Sequence, residues 1–178
     1  TLNIFEYAKD NDIPKVVFAS SSSVYGNTDE IPFRETENVN KPVSLYAATK
    51  KYNELQAHVY HDLHGLEMVG LRFFTVYGPR GRPDMAPMIF ARRISQDKPI
   101  KVFNHGDMKR DFTYVKDIVQ GITKAMDTSL GYEIINLCRG EPVDLMDFIQ
   151  TIEKHLGKEA EKNFLPMQPG DVKVTYGS

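Results

Sequence analysis

Two continuous apolar runs separated by one long amphipathic segment constrain this chain more than any other feature. Lys15 to Ala19 reads KVVFA and Glu67 to Phe74 reads EMVGLRFF, compositions that suit strands buried on both faces of a parallel sheet. Between them Ser44 stands where a helix N-cap belongs, Leu55, Val59 and Leu63 recur every fourth residue, and Gly65 follows. A helix from about Leu45 to His64 with one apolar stripe is expected. Strand, helix, strand in that order calls for a right-handed crossover between parallel strands, so the fold class is α/β.

The rest of the chain extends this pattern. Leu2, Phe5 and Ala8 fit a helix that Pro14 ends at the latest. After Phe74, TVYGPRGRPD is a turn-rich basic loop, MAPMIFARRISQD a short helix, and IKVFNHGDMKRDFTYV two short strands around a polar turn. KDIVQGITKAMD predicts a helix, YEIINLC a strand and LMDFIQTIEKHLG another helix. Residues 1–78 are expected to form one sheet-based unit to which 115–140 return. Residues 79–114 and 141–178 then form a smaller mixed α/β layer.

Composition narrows the partners. A formal charge of −2 with both signs interspersed provides no field to hold nucleic acid or an anionic membrane. Cys138 is the only cysteine, which rules out an internal disulfide and a thiolate metal cluster and fits a reducing compartment. No apolar run reaches the length of a membrane span, and the first residues lack the regions of a signal peptide. A cytoplasmic protein is expected.

Chemistry concentrates in two stretches. In SLYAATKKY, Tyr46 and Lys50 lie four apart and so share one helical face. A phenol with a pKa of ~10 is a poor base at neutral pH, and a nearby ammonium favours the phenolate. Nine tyrosines and fourteen lysines in 178 residues yield about 0.7 such pairs by chance, so the spacing alone decides nothing. Context adds weight: Ser20, Ser21, Ser22 and Ser23 follow directly on the first apolar run, and ligands of open α/β sheets bind beyond the carboxyl ends of the strands. Those serines either meet a substrate or cap a turn. His58, His61 and His64 recur every third residue but drift round the helix without a carboxylate at ligand spacing, so they read as a solvated face and no metal is expected.

FASSSSVYG, SLYAATK, LRFFTVYGPRGRPDMA, RDFTYVKDIV and QPGDV, in that order, resemble the extended short-chain dehydrogenase/reductases that act on nucleotide sugars. The resemblance covers essentially the whole chain, and RFFTVYGPRGRPDMA is most similar to the UDP-glucuronate 4-epimerases among them. It implies a partial Rossmann-type doubly wound parallel sheet with a smaller mixed α/β substrate domain, NAD as cofactor, a UDP-sugar as substrate, and a homodimer formed through the helices containing Phe5 and Tyr46. Core packing would produce the same apolar stripe on those helices.

The resemblance also implies roles. Tyr46 removes a proton from a sugar hydroxyl as the sugar carbon is oxidised by NAD; Lys50 holds the nicotinamide ribose and acidifies the phenol. Ser21 matches the serine or threonine on the reacting oxygen. Ser20 and Phe73 fall at the cofactor, and Ser22, Ser23, Thr75, Arg82, Phe103, Arg110 and Asp171 at the substrate. Arg110 matches an arginine on the diphosphate, although pairing with Asp111 or Asp107 on the surface is the competing reading. Thr75 and Arg82 suit a C5 carboxylate. Phe103 fits the uracil ring or plain core, and Asp171 the uridine ribose. Related dehydratases carry Asp-Glu at the positions of Ser22 and Ser23, because eliminating water needs a further acid and base. Their absence favours simple oxidation and return reduction over a decarboxylase or dehydratase. A non-catalytic nucleotide-binding module on the same fold is the rival from a different class.

Departures from the family pattern fall at Cys138 to Gly140, at Gln168 and Pro169, and at Lys173. No GxxGxxG turn occurs anywhere in the sequence, so the cofactor's pyrophosphate cradle is missing. The expectation is a middle-to-late portion of a longer enzyme, inactive by itself.

Overall fold

The computed structural model describes residues 1–168 and 171–178. In chain order the first half gives α1 (Leu2–Asp10), β1 (Lys15–Ser21), α2 (Leu45–His64), β2 (Glu67–Phe73) and β3 (Thr75–Tyr77). The second half gives α3 (Ala86–Ser95), β4 (Ile100–Val102), β5 (Lys109–Arg110), β6 (Phe112–Tyr114), α4 (Val115–Asp127), β7 (Tyr132–Leu137), β8 (Val143–Asp144), α5 (Leu145–Leu156), β9 (Lys162–Phe164) and β10 (Val174–Thr175). Among the described residues, no helix is long and apolar enough to cross a membrane.

The ends of α2 follow from its sequence. The Ser44 hydroxyl accepts from the Ala47 N–H at 3.1 Å, satisfying an otherwise unpaired first-turn donor. Gly65 closes the helix in the left-handed region at φ 68°, its N–H donating to the His61 carbonyl.

β1, β2 and β7 form a parallel sheet in the order β1-β2-β7, with Ser20 opposite Arg72 and Ser21 opposite Phe73. Both faces are covered. On one, Phe5 and Ala8 of α1 and Ala57 and Tyr60 of α2 pack with Val16, Phe18 and Met68. On the other, Ile122 and Ala125 of α4 pack with Val17, Val69, Leu71 and Ile135. This is the helix-on-both-faces arrangement of a doubly wound sheet.

A separate apolar cluster joins Phe90 and Ile94 of α3 to Ile100, Val102, Met108 and Ile149. All its members come from residues 79–114 and 141–178. β3 pairs in parallel with β6, and β5 sits between β10 and β8.

Two expectations change. β1, expected to be buried on both faces, is half-buried over Lys15–Phe18 because it lies at the edge of the described sheet, whereas the interior of the central strand β2 is buried throughout. The stretch from Ile100 holds three short strands rather than two, with a tight turn at Phe103–Gly106 between the first pair. Leu55, Val59 and Leu63 are all exposed, at 53%, 51% and 68%. The buried face of α2 is instead Ala47, Glu54, Ala57 and Tyr60. Ile4 and Tyr7 of α1 are exposed as well.

Candidate functional site

The carboxyl end of β1 carries the serine run, and its four members divide. Ser20 is buried and donates to Glu54 Oε1 at 2.7 Å. Its side chain, expected at the cofactor, enters the layer under α2, because successive side chains of a strand alternate faces. Ser21 caps a short 3-10 turn, Ser22–Tyr25, by accepting from the Ser23 N–H at 3.1 Å, and its hydroxyl also lies 3.1 Å from that of Ser23. The turn-capping reading thus holds for Ser21 without excluding contact with a ligand. Ser22 and Ser23 line a cavity of about 180 Å³ with Gly26, Ser44, Thr75 and Arg110.

Tyr46 and Lys50 meet as helical spacing requires. The Lys50 ammonium lies 5.6 Å from the centre of the Tyr46 ring and donates to the Ala19 carbonyl at 2.9 Å, one residue before the serine run. Tyr46 is 54% exposed, so its phenol is open to a ligand. The pair thus lies near the carboxyl end of β1.

A larger cavity of about 610 Å³ adjoins the small one through shared walls, Thr75, Arg110 and Asp171. Phe90, Phe103 and Phe112 supply its aromatic lining, and Arg92, Arg93 and Lys101 join Arg110 as cations. The only carboxylates on it are Asp84 and Asp171. Arg110 donates to Asp171 Oδ1 at 2.8 Å and to the carbonyls of Lys109 and Lys173. Its expected surface partners are otherwise engaged: Asp107 pairs with Lys173, and buried Asp111 accepts from the N–H groups of Arg139 and Gly140. Burial pushes the Arg110 guanidinium below its ordinary pKa, with Asp171 opposing. A fork-shaped cation fixed at a cavity wall suits paired anionic oxygens.

Among the described residues, six expected ones line neither cavity: Ser20, Ser21, Tyr46, Lys50, Phe73 and Arg82. Arg82 is exposed and paired with Asp84 at 2.5 Å. Phe73 packs partly buried against the cluster of Val69, Leu71 and Ala125. Pro169 of the QPGDV motif lies outside the described residues. His61 Nδ1 faces the Leu66 carbonyl at 2.7 Å, while the ring of His58 lies beside Tyr132 and that of His64 beside Tyr60. The His61 ring shares Tyr132 with His58, at 6.0 Å between centres.

Sequence reasoning missed a buried polar network just behind the serines. Glu54 and Arg72 form a two-point ion pair, Nε to Oε1 and Nη2 to Oε2, both at 2.9 Å. Burial pushes the Glu54 carboxyl up, but the bonds and charge of Arg72, the Ser20 hydroxyl and Lys51 outweigh it and hold the group below the usual carboxylate range. Arg72 Nη1 donates to the Tyr25 hydroxyl, which donates to Asn136 Oδ1 on β7. The available signal was Glu54 at the third place of a Tyr46, Lys50, Glu54 series spaced by four. Arg92 and Arg93 carried none, since cations on a short helix are ordinarily solvated.

Residues 1–138 match the NAD dependent epimerase/dehydratase family. The UDP-glucuronate 4-epimerase of Thermodesulfobacterium geofontis is 47% identical over 177 residues, which are 99% of this chain and 54% of that protein. The solved UDP-glucuronic acid 4-epimerase of Bacillus cereus, in complex with UDP-glucuronic acid and NAD, is 38% identical with a TM-score of 0.90, covering 98% of this chain and 56% of that one. A UDP-N-acetylglucosamine 4-epimerase of Methanobrevibacter ruminantium, in complex with UDP-N-acetylmuramic acid, is 31% identical with a TM-score of 0.94, covering 99% and 58%. The chain spans about half the length of the curated relatives it matches.

Proposed function

Because the chain belongs to the NAD dependent epimerase/dehydratase family, we propose that its protein inverts C4 of a UDP-sugar, converting UDP-glucuronate to UDP-galacturonate through a 4-keto sugar. The observation that carries this reading is the Tyr46–Lys50 pair, whose ammonium is bonded to the Ala19 carbonyl one residue before the serine run. NAD, when bound, supplies the reversible two-electron oxidation at C4. The residues present fit its nicotinamide ribose, for which Lys50 offers an ammonium and Tyr46 an exposed phenol. A GxxGxxG pyrophosphate cradle is not part of this sequence.

The chain's own residues divide the remaining work. Tyr46 takes the proton from the C4 hydroxyl and returns it when the other face is reduced. Ser21, with Ser22 and Ser23 beyond it, donates to the reacting oxygen. Arg110, with the neighbouring cations, holds the diphosphate against the cavity wall, and the ring of Phe103 lies along the base. Thr75 and Arg82 meet the C5 carboxylate, Arg82 exchanging Asp84 for the substrate. Because neither Ser22 nor Ser23 provides a carboxyl, elimination or decarboxylation lacks the acid and base it requires. The outward stripe of Leu55, Val59 and Leu63, with exposed Ile4 and Tyr7, pairs with a second copy to form a homodimer, and the lone thiol fits work in the cytoplasm.

Incubating the full-length protein and NAD with UDP-glucuronate, UDP-glucose and UDP-N-acetylglucosamine, with products read by NMR, tests the reading. UDP-galacturonate is the expected product from the first. Release of carbon dioxide, or a 4-keto sugar that accumulates, overturns it.

A further inference from the structure

The ion pair of Glu54 and Arg72 lies behind the site and touches neither cavity. Its side chains are 1% and 3% exposed. Stability is a poor explanation for such a pair: desolvating two charges offsets most of their attraction, and apolar residues of similar volume are often as stable. Direction is what the pair adds. A two-point guanidinium–carboxylate contact fixes distance and rotation, whereas apolar contacts let neighbours slide.

α2 has particular need of such a constraint. In its first two turns only Ala47 is buried, and a methyl group against the sheet offers little to interlock. Tyr46 projects from this loosely keyed end. Two of the polar contacts of α2 fall on successive residues of β1, Lys50 on the Ala19 carbonyl at 2.9 Å and Glu54 on the Ser20 hydroxyl at 2.7 Å, while the Tyr132 hydroxyl of β7 donates to the Glu54 carbonyl at 3.2 Å. Ser20 and Arg72 are register partners across β1 and β2, so Glu54 is gripped by one side chain from each strand. The next residue of β1 is Ser21, and Arg72 continues through Tyr25 to the far end of the serine turn.

We propose that Glu54, Arg72 and Ser20 form a register pin, a set of positioning residues that fixes the Tyr46 phenol relative to the Ser21–Ser23 hydroxyls. The idea rests on Tyr46 as the proton-transfer group, and it adds that the separation between phenol and serines is set from inside the core. Reacting groups misplaced by ~1 Å lose on the order of 100-fold in rate, so loss of the pin lowers kcat while the diphosphate cavity, with its own walls, keeps its affinity.

Two variants of the full-length protein test this. Ser20→Ala/Glu54→Met/Arg72→Met replaces the pin with flexible apolar side chains and leaves no carboxylate or guanidinium unpaired. Ser20→Ala alone cuts only the link to β1 and keeps the ion pair. The measurements are UDP affinity by calorimetry, kcat and KM for epimerisation, and the crystal structure of each variant. The triple variant is expected to lose about 100-fold in kcat with UDP affinity within about threefold of the parent, and Ser20→Ala about tenfold. In the variant structures the Lys50–Ala19 contact opens and the Tyr46 hydroxyl moves by more than about 0.5 Å relative to Ser21. A folded triple variant with Lys50 and Tyr46 in their original places overturns the pin, whatever its turnover; if the triple variant fails to fold, the same result in Ser20→Ala overturns it. A parent protein that leaves all three UDP-sugars unchanged refutes the proposed epimerisation instead, and the structures still decide the pin.

Discussion

Gly26 ends the turn that presents Ser22 and Ser23, and replacing it with alanine separates two kinds of glycine. Its φ of 65° and ψ of −147° lie near a region that is almost glycine-only, where another residue is strained by ~1–3 kcal/mol. A Cβ there would stand 2.5 Å from the Lys41 carbonyl oxygen, against the roughly 3.0 Å below which such contacts essentially never occur. The obstacle is backbone and cannot rotate aside, so Lys41 must shift by about 0.5 Å, and crowding of this kind costs ~1–3 kcal/mol. Gly65 is the internal control. It too has positive φ, at 68°, but a Cβ on it meets nothing within 4 Å, leaving only the left-handed strain of ~1–2 kcal/mol. Denaturant titration of the full-length protein should therefore show Gly26→Ala losing about 2–6 kcal/mol and Gly65→Ala no more than about 2. Because Lys41 lies three residues before the cap of α2, kcat should fall with Gly26→Ala and not with Gly65→Ala. Equal destabilisation by the two substitutions would refute the reasoning.

Tyr46→Phe should cut kcat by about 10²–10⁴-fold with UDP-sugar affinity within about threefold, since it deletes the proton carrier and little else; unchanged turnover defeats the role given to the phenol. Acid should weaken the fold through Glu54. Its pKa is depressed in the native state, so its stabilisation is complete above the ordinary value of 4.5 and is lost as pH falls below that and through the native value. Denaturant midpoints should decline less steeply below pH 4.5 in the Ser20→Ala/Glu54→Met/Arg72→Met protein than in the parent, and identical slopes would exclude the ion pair as a source. Burial, then the charges of Asp111 and Glu35, push the Cys138 thiol up to about 11. Iodoacetamide at pH 8 should label it about a hundredfold more slowly than a free cysteine thiol, a difference that mass spectrometry of a timed reaction would reveal or deny.

The elements that sequence exposes here are those whose signals are local. Ser44 and Gly65 mark the ends of α2 because a cap acts within one turn, and Tyr46 and Lys50 meet because four residues are one turn. The direction of the apolar stripe was not local. Leu55, Val59 and Leu63 give a clean period, yet α2 packs on Ala47, Ala57 and Tyr60. A helix with small residues on one face and large ones on the other has two candidate interiors, and periodicity measures only that the faces differ.

The same limit explains the site. Thr75, Arg110 and Asp171, far apart in the chain, converge on one cavity wall through the pairing of β3 with β6 and of β10 with β5, which no spacing rule encodes. Ser20 is the sharper case: within four identical residues, only the register of β1 against β2 decides which hydroxyl turns inward to Glu54. Ser20 therefore falls to the core and its neighbours to the turn and cavity. The serine run is best understood as one repeated side chain serving two layers, its first member securing the sheet to α2 and the later ones left free to meet a ligand.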